Sequence, residues 1–330
     1  MKIDIHTHIM PSQMPNWTKK FGYGEFIHLE HRNCDACMMK GDKIFRIVEE
    51  NTFNARERKI EMNSTGVTIQ VLSTIPVLFN YWAKPQDGLE TSSFLNDHIA
   101  ETVSADPSSF IGLGTVPLQD VDLAINEMNR CVRDLNFPGL EIGSNINGDN
   151  LSDKKFFPFY KEAEKLGCAI FVHPWEMMGE QHMQQYWLPW LVGMPAETSR
   201  AICSMIFGGI FEQFPKLRVA FAHGGGSFPI TIGRIEHGFK VRPDLCAIDN
   251  PVNPRNYLGR FWIDSLVHDP VAMEYILKVM GEDNICLGSD YPFPLGEHHP
   301  GKLIEEMHID KPLRDKLFFE NANRWLHREL

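Results

Sequence analysis

The sequence has few features that would place it in a membrane or in a disulfide-stabilised fold. No apolar stretch approaches the roughly 20 residues of a membrane-spanning helix. The opening residues, Met1-Lys-Ile-Asp-Ile-His6, lack the apolar core of a signal peptide. The seven cysteines are odd in number and scattered, which is typical of reduced thiols. Cys34 and Cys37 have the spacing of half a zinc knuckle, but no second pair follows. We therefore expect a soluble cytosolic protein with no disulfide framework and no membrane contact.

Basic residues are too few for a nucleic-acid-binding protein. Thirty-two Lys and Arg stand against 43 Asp and Glu, a formal net charge of −11, whereas phosphate binding needs a basic surface. A small anionic substrate remains possible, because screening limits the overall field to about 10 Å while nearby arginines still act. Apolar residues make up 43% and charged residues 23%, which is ordinary for a globular protein.

Short β-rich stretches alternate with amphipathic helical stretches along the whole sequence. The predicted strands cover residues 3–8, 67–74, 110–115, 139–142, 169–173, 219–223, 261–264 and 285–290, and helical patterns include 120–135, 154–166, 197–211 and 270–280. This alternation is typical of parallel βαβ units and predicts an α/β fold, a (β/α)8 TIM barrel. A doubly wound open sheet is the alternative, but no Gly-x-Gly-x-x-Gly fingerprint follows an early strand.

We expect one domain over residues 1–330, with an insertion after the first strand at about residues 9–45. That segment lacks clear periodicity, and residues 174–196 are rich in Trp, Met and Pro. Both segments follow the carboxyl end of a predicted strand, where barrel active sites lie. We therefore expect them to form pocket walls or a lid.

Four predicted strands end in residues that bind divalent metals. His6 and His8 point to the same side of the first strand, and His173, His223 and Asp290 each end a later apolar strand. The carboxyl ends of barrel strands meet at one rim, so these side chains should assemble there. Three imidazoles and a carboxylate suit Zn²⁺ with a position left for water, and one histidine is then spare.

His223 is our candidate for an acid/base residue. Three glycines follow it, as in the oxyanion loop of some α/β-hydrolases, but the Gly-x-Ser-x-Gly motif that such enzymes require is missing. Asp264, which ends the seventh predicted strand, is a candidate support for the metal ligands. Arg46 and Arg234 could bind carboxylates bidentately, although surface salt bridges are the alternative from composition alone.

These motifs resemble those of the amidohydrolase superfamily, in particular its metal-dependent decarboxylases. The similarity runs from residue 1 to about residue 325. The metal motifs are shared by many hydrolases, and two longer stretches are more specific: Trp187-Leu-Pro-Trp-Leu-Val-Gly-Met-Pro-Ala-Glu-Thr198 and Gly288-Ser-Asp-Tyr-Pro-Phe-Pro-Leu-Gly-Glu297.

The resemblance implies one Zn²⁺ per subunit and catalysis by His223 and Asp290. The residues that match the family's metal ligands are His6, His8, His173 and Asp290. The positions that match its substrate-binding residues are Arg46, Arg234, Trp190, Phe45, Met177 and Phe293. Arg234 matches an arginine that reaches the neighbouring subunit's site, which implies a homodimer.

The implied substrate is a small anionic dicarboxylate. The implied reaction is the zinc-dependent, non-oxidative decarboxylation of 2-amino-3-carboxymuconate 6-semialdehyde to 2-aminomuconate 6-semialdehyde and CO₂. This step of the kynurenine pathway of tryptophan degradation diverts flux from quinolinate.

Three questions stay open at this point. A zinc hydrolase or a hydroxybenzoate decarboxylase would use the same scaffold and metal residues. A metal-stabilised binding protein without activity is a further alternative. Hydration of the conjugated double bond before CO₂ loss and direct protonation of carbon would use the same residues.

Overall fold

The computed structural model describes residues 1–32 and 35–328, so Cys34 lies outside the described residues. The strands are β1 (Ile3–His8), β2 (Ile27–Arg32), β3 (Asp35–Lys40), β4 (Lys43–Val48), β5 (Ile69–Ser73), β6 (Phe110–Gly114), β7 (Gly139–Gly143), β8 (Asn145–Ile146), β9 (Asp149–Asn150), β10 (Ala169–His173), β11 (Val219–Phe221), β12 (Trp262–Asp264) and β13 (Ile285–Cys286). The α-helices are α1 (Trp17–Phe21), α2 (Ala55–Thr65), α3 (Pro85–Ala105), α4 (Val121–Arg133), α5 (Phe157–Leu166), α6 (Met194–Phe207), α7 (Ile210–Gln213), α8 (Phe228–Val241), α9 (Pro243–Cys246), α10 (Pro270–Met280), α11 (Lys302–Glu306), α12 (Lys311–Asp315) and α13 (Asn321–Leu326).

Eight parallel strands form the barrel in the order β1-β5-β6-β7-β10-β11-β12-β13. The ring closes where Ile5 N donates to Leu287 O at 2.9 Å and His8 N donates to Tyr291 O at 2.8 Å. Helices connect successive strands, as parallel pairing requires. The prediction of a (β/α)8 TIM barrel is therefore confirmed.

The barrel strands are almost continuously apolar because helices cover one face and the barrel interior covers the other. β10, Ala-Ile-Phe-Val-His, is buried along its whole length. Trp325 of α13 is fully buried and packs against Phe171 of β10, with ring centroids 6.0 Å apart. A shift in the pairing register of β1 between Asp4 and Thr7 lets the strand contribute Ile5 to the apolar interior as well as its two histidines to the rim.

The insertion after β1 is more regular than its sequence suggests. It contains an antiparallel sheet, β2-β3-β4, within residues 27–48, where the sequence analysis expected no clear periodicity. Apolar and polar residues do not alternate along β4, and two of its apolar residues, Ile44 and Ile47, are largely exposed. β4 carries Phe45 and Arg46, so this small sheet delivers side chains to the carboxyl-terminal rim of the barrel.

Two predicted strands end earlier than the sequence indicates. β11 stops at Phe221, and His223 lies in a 3₁₀ turn with φ 57°. β13 stops at Cys286, and Asp290 has φ 56°. Both residues occupy the left-handed region that non-glycine residues rarely adopt, and such strain is concentrated at functional sites.

Within the described ranges, no helix combines the length and apolar character needed to cross a bilayer.

Candidate active site

Four buried side chains at the carboxyl-terminal rim could hold one metal ion. His6, His8, His173 and Asp290 each offer a ligand atom, and these atoms lie within 4.8 Å of one another. The imidazole centroids of the three histidines are 5.1 Å apart in every pair. Asp290 Oδ1 lies 3.1 Å from His8 Nε2 and 3.5 Å from His6 Nε2. The barrel thus brings together residues from its first and fifth strands and from the segment that follows its eighth.

Hydrogen bonds behind the imidazoles set which nitrogen is available to a metal. The Nδ1 atoms of the three histidines donate to oxygen acceptors: His6 to Asp264 Oδ2 at 2.7 Å, His8 to the Thr74 carbonyl at 2.8 Å and His173 to the Pro174 carbonyl at 2.9 Å. All three Nε2 atoms are buried and lack a hydrogen-bond partner among the described residues. An ion would satisfy these three lone pairs together, so the donor set fits a divalent metal.

The protonation states also fit a metal. Burial lowers the pKa of His8 and lowers that of His173 well below its usual range, which keeps these rings neutral. Burial alone would raise the pKa of Asp290, but the neighbouring imidazoles of His6, His223 and His8 hold it well below its ordinary value. Neutral imidazoles and an ionised carboxylate are the forms that bind metal.

Asp264 connects one candidate metal ligand, His6, to His223. Its carboxylate accepts from the backbone N–H groups of His223 at 2.9 Å and Gly224 at 2.7 Å, as well as from His6. One buried carboxylate therefore orients a ligand and holds the strained turn that carries the candidate acid/base. The position of Asp264 at the end of a predicted strand was the sequence signal for this role.

His223 lies beside the metal cluster but is not part of it. Its Nε2 is 3.5 Å from Asp290 Oδ2, and its ring centroid is 5.1 Å from those of His6 and His173. Burial by itself lowers the pKa of His223, but the hydrogen bond and charge of Asp290, with the charge of Asp264, raise it above its usual value. A histidine in this position can carry a proton at neutral pH.

Glu141 of β7 is a member of this region that the sequence analysis did not identify. It is fully buried, and its Oε1 lies 3.7 Å from His8 Nδ1. Burial raises the pKa of this carboxyl well above its usual range. The available signal was a single charged residue in the otherwise apolar strand Gly-Leu-Glu-Ile-Gly.

A small chamber of about 60 Å³ opens onto the metal cluster. Its lining includes His8, His173, Asp290 and five predicted substrate-binding residues: Phe45, Arg46, Met177, Trp190 and Phe293. The Arg46 guanidinium lies 4.6 Å from the ring centroid of Phe293 and 5.8 Å from that of Trp190. The Arg46 side chain has no hydrogen bond or ion pair with another described residue, and burial lowers its pKa although the charge of Asp290 opposes this shift. A half-buried cation that lies against aromatic faces and has no ion-pair partner within 4 Å among the described residues suits an incoming carboxylate.

A second cavity of about 590 Å³ lies outside the chamber and has His223 and His268 in its otherwise mainly apolar lining. Trp190, Met194 and Leu295 line both spaces, so the two cavities adjoin at these residues. His268 follows the seventh barrel strand and lines this outer cavity. Arg234 is exposed on α8 and lines neither space in its own chain.

The Trp- and Met-rich segment 174–196 is tied to the barrel through Glu197, which the sequence analysis also missed. This fully buried carboxylate of α6 accepts from Ser144 Oγ at 3.2 Å, Asn145 Nδ2 at 3.0 Å and Met178 N at 3.1 Å. Asn145 Nδ2 also donates to the Trp175 carbonyl at 2.8 Å. These contacts fix the segment that places Met177 and Trp190 over the chamber.

Comparison with known proteins gives consistent results over nearly the whole chain. The family model described as Amidohydrolase matches residues 3–328. A protein of Dictyostelium discoideum called 2-amino-3-carboxymuconate-6-semialdehyde decarboxylase is 56% identical, over 99% of this chain and 91% of its own. A protein of the same name from Caenorhabditis elegans is 39% identical, over 98% of this chain and 94% of its own. Among solved structures, 5-carboxyvanillate decarboxylase from Sphingomonas paucimobilis superposes with a TM-score of 0.83 at 24% identity, over 99% of each chain.

Proposed function

Because the chain belongs to the amidohydrolase family and is a metal-dependent carboxy-lyase, we propose that it converts 2-amino-3-carboxymuconate 6-semialdehyde to 2-aminomuconate 6-semialdehyde and CO₂. The observation that carries this proposal is the 56% identity to a decarboxylase of that name over 99% of the chain. The reaction belongs to the kynurenine pathway of tryptophan degradation, where it diverts flux from quinolinate, and we place the protein in the cytosol.

The proposed cofactor is one Zn²⁺ per subunit. His6, His8, His173 and Asp290 would hold it, and nitrogen and oxygen donors of this kind also accept iron or cobalt. When bound, the ion supplies Lewis-acid polarisation of an oxygen atom. Metal analysis of protein purified without added metal tests the choice: about one zinc per chain supports it, and another metal in that ratio contradicts it.

The side chains around the chamber would orient the substrate and exclude water. Arg46 binds one carboxylate, while Phe293 and Trp190 provide apolar surfaces that keep the reacting carbon away from solvent. His223 delivers a proton to the carbon that bears the departing carboxylate, and when CO₂ leaves, the electron pair of the broken bond restores the carbon–carbon double bond, so that the proton takes the place of CO₂. No oxidant or reductant is needed.

The active form is proposed to be a homodimer in which Arg234 acts in the neighbouring site. The match of Arg234 to a family arginine that reaches the neighbouring site supports this role, and its exposure on α8 leaves the guanidinium accessible to a partner subunit. A second guanidinium would bind the second carboxylate of the dicarboxylate substrate.

The deciding experiment follows the absorbance of freshly generated substrate and the CO₂ released from it. Rapid loss with matching CO₂, abolished by chelator and restored by Zn²⁺, supports the proposal. No acceleration by the metal-loaded dimer rejects this substrate, and hydroxybenzoates would be tested next. Metal-loaded His223→Ala protein is the matched control for reactions that the ion alone promotes.

A further inference from the structure

A buried arginine that the proposed reaction does not use lies directly behind the metal cluster. Arg58 of α2 is 0% exposed. Its Nη1 donates to the His8 carbonyl at 2.6 Å and to the Asn51 carbonyl at 3.1 Å, and its Nε donates to Gln70 Oε1 at 3.0 Å. These acceptors lie on β1, on the turn before α2 and on β5. One guanidinium thus joins three segments of chain at the back of the site.

The same guanidinium also contacts the segment that carries Asp290. Its central carbon lies 4.7 Å from the ring centroid of Tyr291, which follows Asp290 in sequence. Tyr291 is held in turn by its hydroxyl, which donates to Glu61 Oε2 at 2.5 Å, and by its carbonyl, which accepts from His8 N at 2.8 Å. Arg58 therefore contacts the chain at one metal ligand and immediately beside another.

Burying this charge is costly in free energy. No ion pair within 4 Å involves Arg58 in the described part of the chain, and its Nη2 lacks a hydrogen-bond partner there. Well-packed apolar residues of similar volume often replace even a buried ion pair without loss of stability, so packing alone does not require a buried charge. If this residue served only to fill space, an apolar side chain would suffice. A guanidinium is needed if the residue must donate hydrogen bonds that hold a main-chain carbonyl in place.

We propose that Arg58 is a positioning residue for the metal site. It fixes the main chain at His8 and the ring of Tyr291, so that His8 and Asp290 both lie at binding distance before the ion arrives. This inference rests on the metal site of the proposed function and is independent of its substrate. Preorganised ligands bind an ion more tightly because less order must be created on binding.

The test compares Arg58→Lys and Arg58→Met with Arg56→Met, a matched change at an exposed position of the same helix. Zn²⁺ affinity is measured by chelator competition, and ligand geometry by the visible absorption spectrum of the Co²⁺-substituted protein. We expect both Arg58 variants to bind Zn²⁺ about 10- to 100-fold more weakly with an altered Co²⁺ spectrum. Arg56→Met should match the wild type in both measurements.

Folded Arg58 variants with wild-type Zn²⁺ affinity and Co²⁺ spectrum would overturn the proposal. If Arg58→Met does not fold, Arg58→Lys decides, because lysine keeps the charge but lacks the planar fork. If neither folds, Gln70→Leu removes one anchor of the guanidinium; weaker Zn²⁺ binding supports the proposal and unchanged binding contradicts it. None of these measurements uses substrate, so a wrong substrate assignment would leave their outcome intact.

Discussion

Each imidazole of the metal cluster depends on the oxygen that accepts its Nδ1 proton. For His6 this acceptor is Asp264, a side chain, whereas His8 and His173 use backbone carbonyls. Asp264 is therefore the acceptor that mutation can change without moving the main chain. It also holds the turn at His223. Loss of the carboxylate should therefore weaken binding of the ion and displace the candidate acid/base, His223.

We expect Asp264→Asn to weaken Zn²⁺ binding by about 10- to 100-fold, the usual effect of removing a partner behind a metal-bound histidine. The amide NH₂ would also face the backbone N–H groups of His223 and Gly224, which donate hydrogen bonds to the carboxylate in the wild type. This clash of donors should weaken Zn²⁺ binding further. Chelator competition measures the change, and Asp244→Asn, at an exposed position, is the control. Equal Zn²⁺ affinities for both variants would show that Asp264 does not orient His6.

His223→Asn should separate catalysis from metal binding. Because His223 lies outside the four-residue cluster, we expect Zn²⁺ content to stay at the wild-type value while kcat falls by about 10²- to 10⁴-fold, the usual worth of a positioned acid/base. Turnover and metal content are measured on the same preparation. Loss of zinc would make His223 a ligand, and undiminished turnover would favour a role other than proton transfer.

At the level of elements, the segment 174–196 is held by a buried carboxylate rather than by apolar packing alone. Glu197→Gln keeps the size of the side chain but removes the charge that accepts from Asn145 and Met178 and pairs with Arg200 at 2.5 Å. We expect a loss of about 1–3 kcal/mol in stability and a rise in KM larger than the fall in kcat, because the pocket wall loosens while the metal ligands stay in place.

Steady-state kinetics and urea unfolding test this change, with Glu180→Gln at an exposed position of the same segment as the control. A Glu197→Gln enzyme with wild-type KM would mean that the segment closes over the chamber without this anchor.

Elements with a strong apolar pattern were predictable from sequence, and those without it were not. β10 is observed at the predicted residues, 169–173. α3 was not singled out because its buried side includes Gly88, Thr91, Ser92 and Asn96, which give little apolar periodicity. β4 was missed because apolar residues lie on its exposed face.

The same contrast holds within the site. The metal cluster was predictable because each ligand ends or follows an apolar strand, which is a local signal. Arg58, Glu141 and Glu197 gave no comparable signal. Their burial and partners depend on segments distant in sequence, and on composition alone a charged residue is expected at the surface.

For the whole molecule, the dimer proposal makes a prediction about mixed subunits. Arg234→Ala and His223→Ala should each be nearly inactive alone. If Arg234 serves the neighbouring site, a mixed dimer has one complete site, and random exchange should restore about a quarter of wild-type activity in an equimolar mixture. Activity is measured before and after subunit exchange. No recovery despite proven mixed dimers would place Arg234 in its own chain's site, and full activity of Arg234→Ala alone would place it outside both sites.

Stability should fall as the pH is lowered toward 5, in part through His98. Burial and the nearby charge of Arg58 lower the pKa of His98 from 6.5 to about 4. The unfolded chain therefore binds more protons between these pH values, so this contribution to stability is complete above about pH 6.5 and is lost progressively as the pH falls toward 4.

His98→Gln, which cannot take up a proton, should lose less stability than the wild type between pH 7.5 and pH 5, by up to about 2 kcal/mol. Urea unfolding at both pH values measures the difference, and His237→Gln, at an exposed position, is the control. Parallel losses in His98→Gln and the wild type would mean that His98 already protonates in the folded protein.

The barrel closes between β1, which carries His6 and His8, and the segment after β13, which carries Asp290. During translation the two histidines emerge early, whereas the aspartate and the hydrogen bonds that close the ring form after the other barrel strands have been made. A nascent chain therefore lacks the complete donor set for most of its synthesis. Metal loading is therefore expected to follow translation and to need an assembled barrel, so the supply of the divalent metal would limit activity without limiting the amount of protein made.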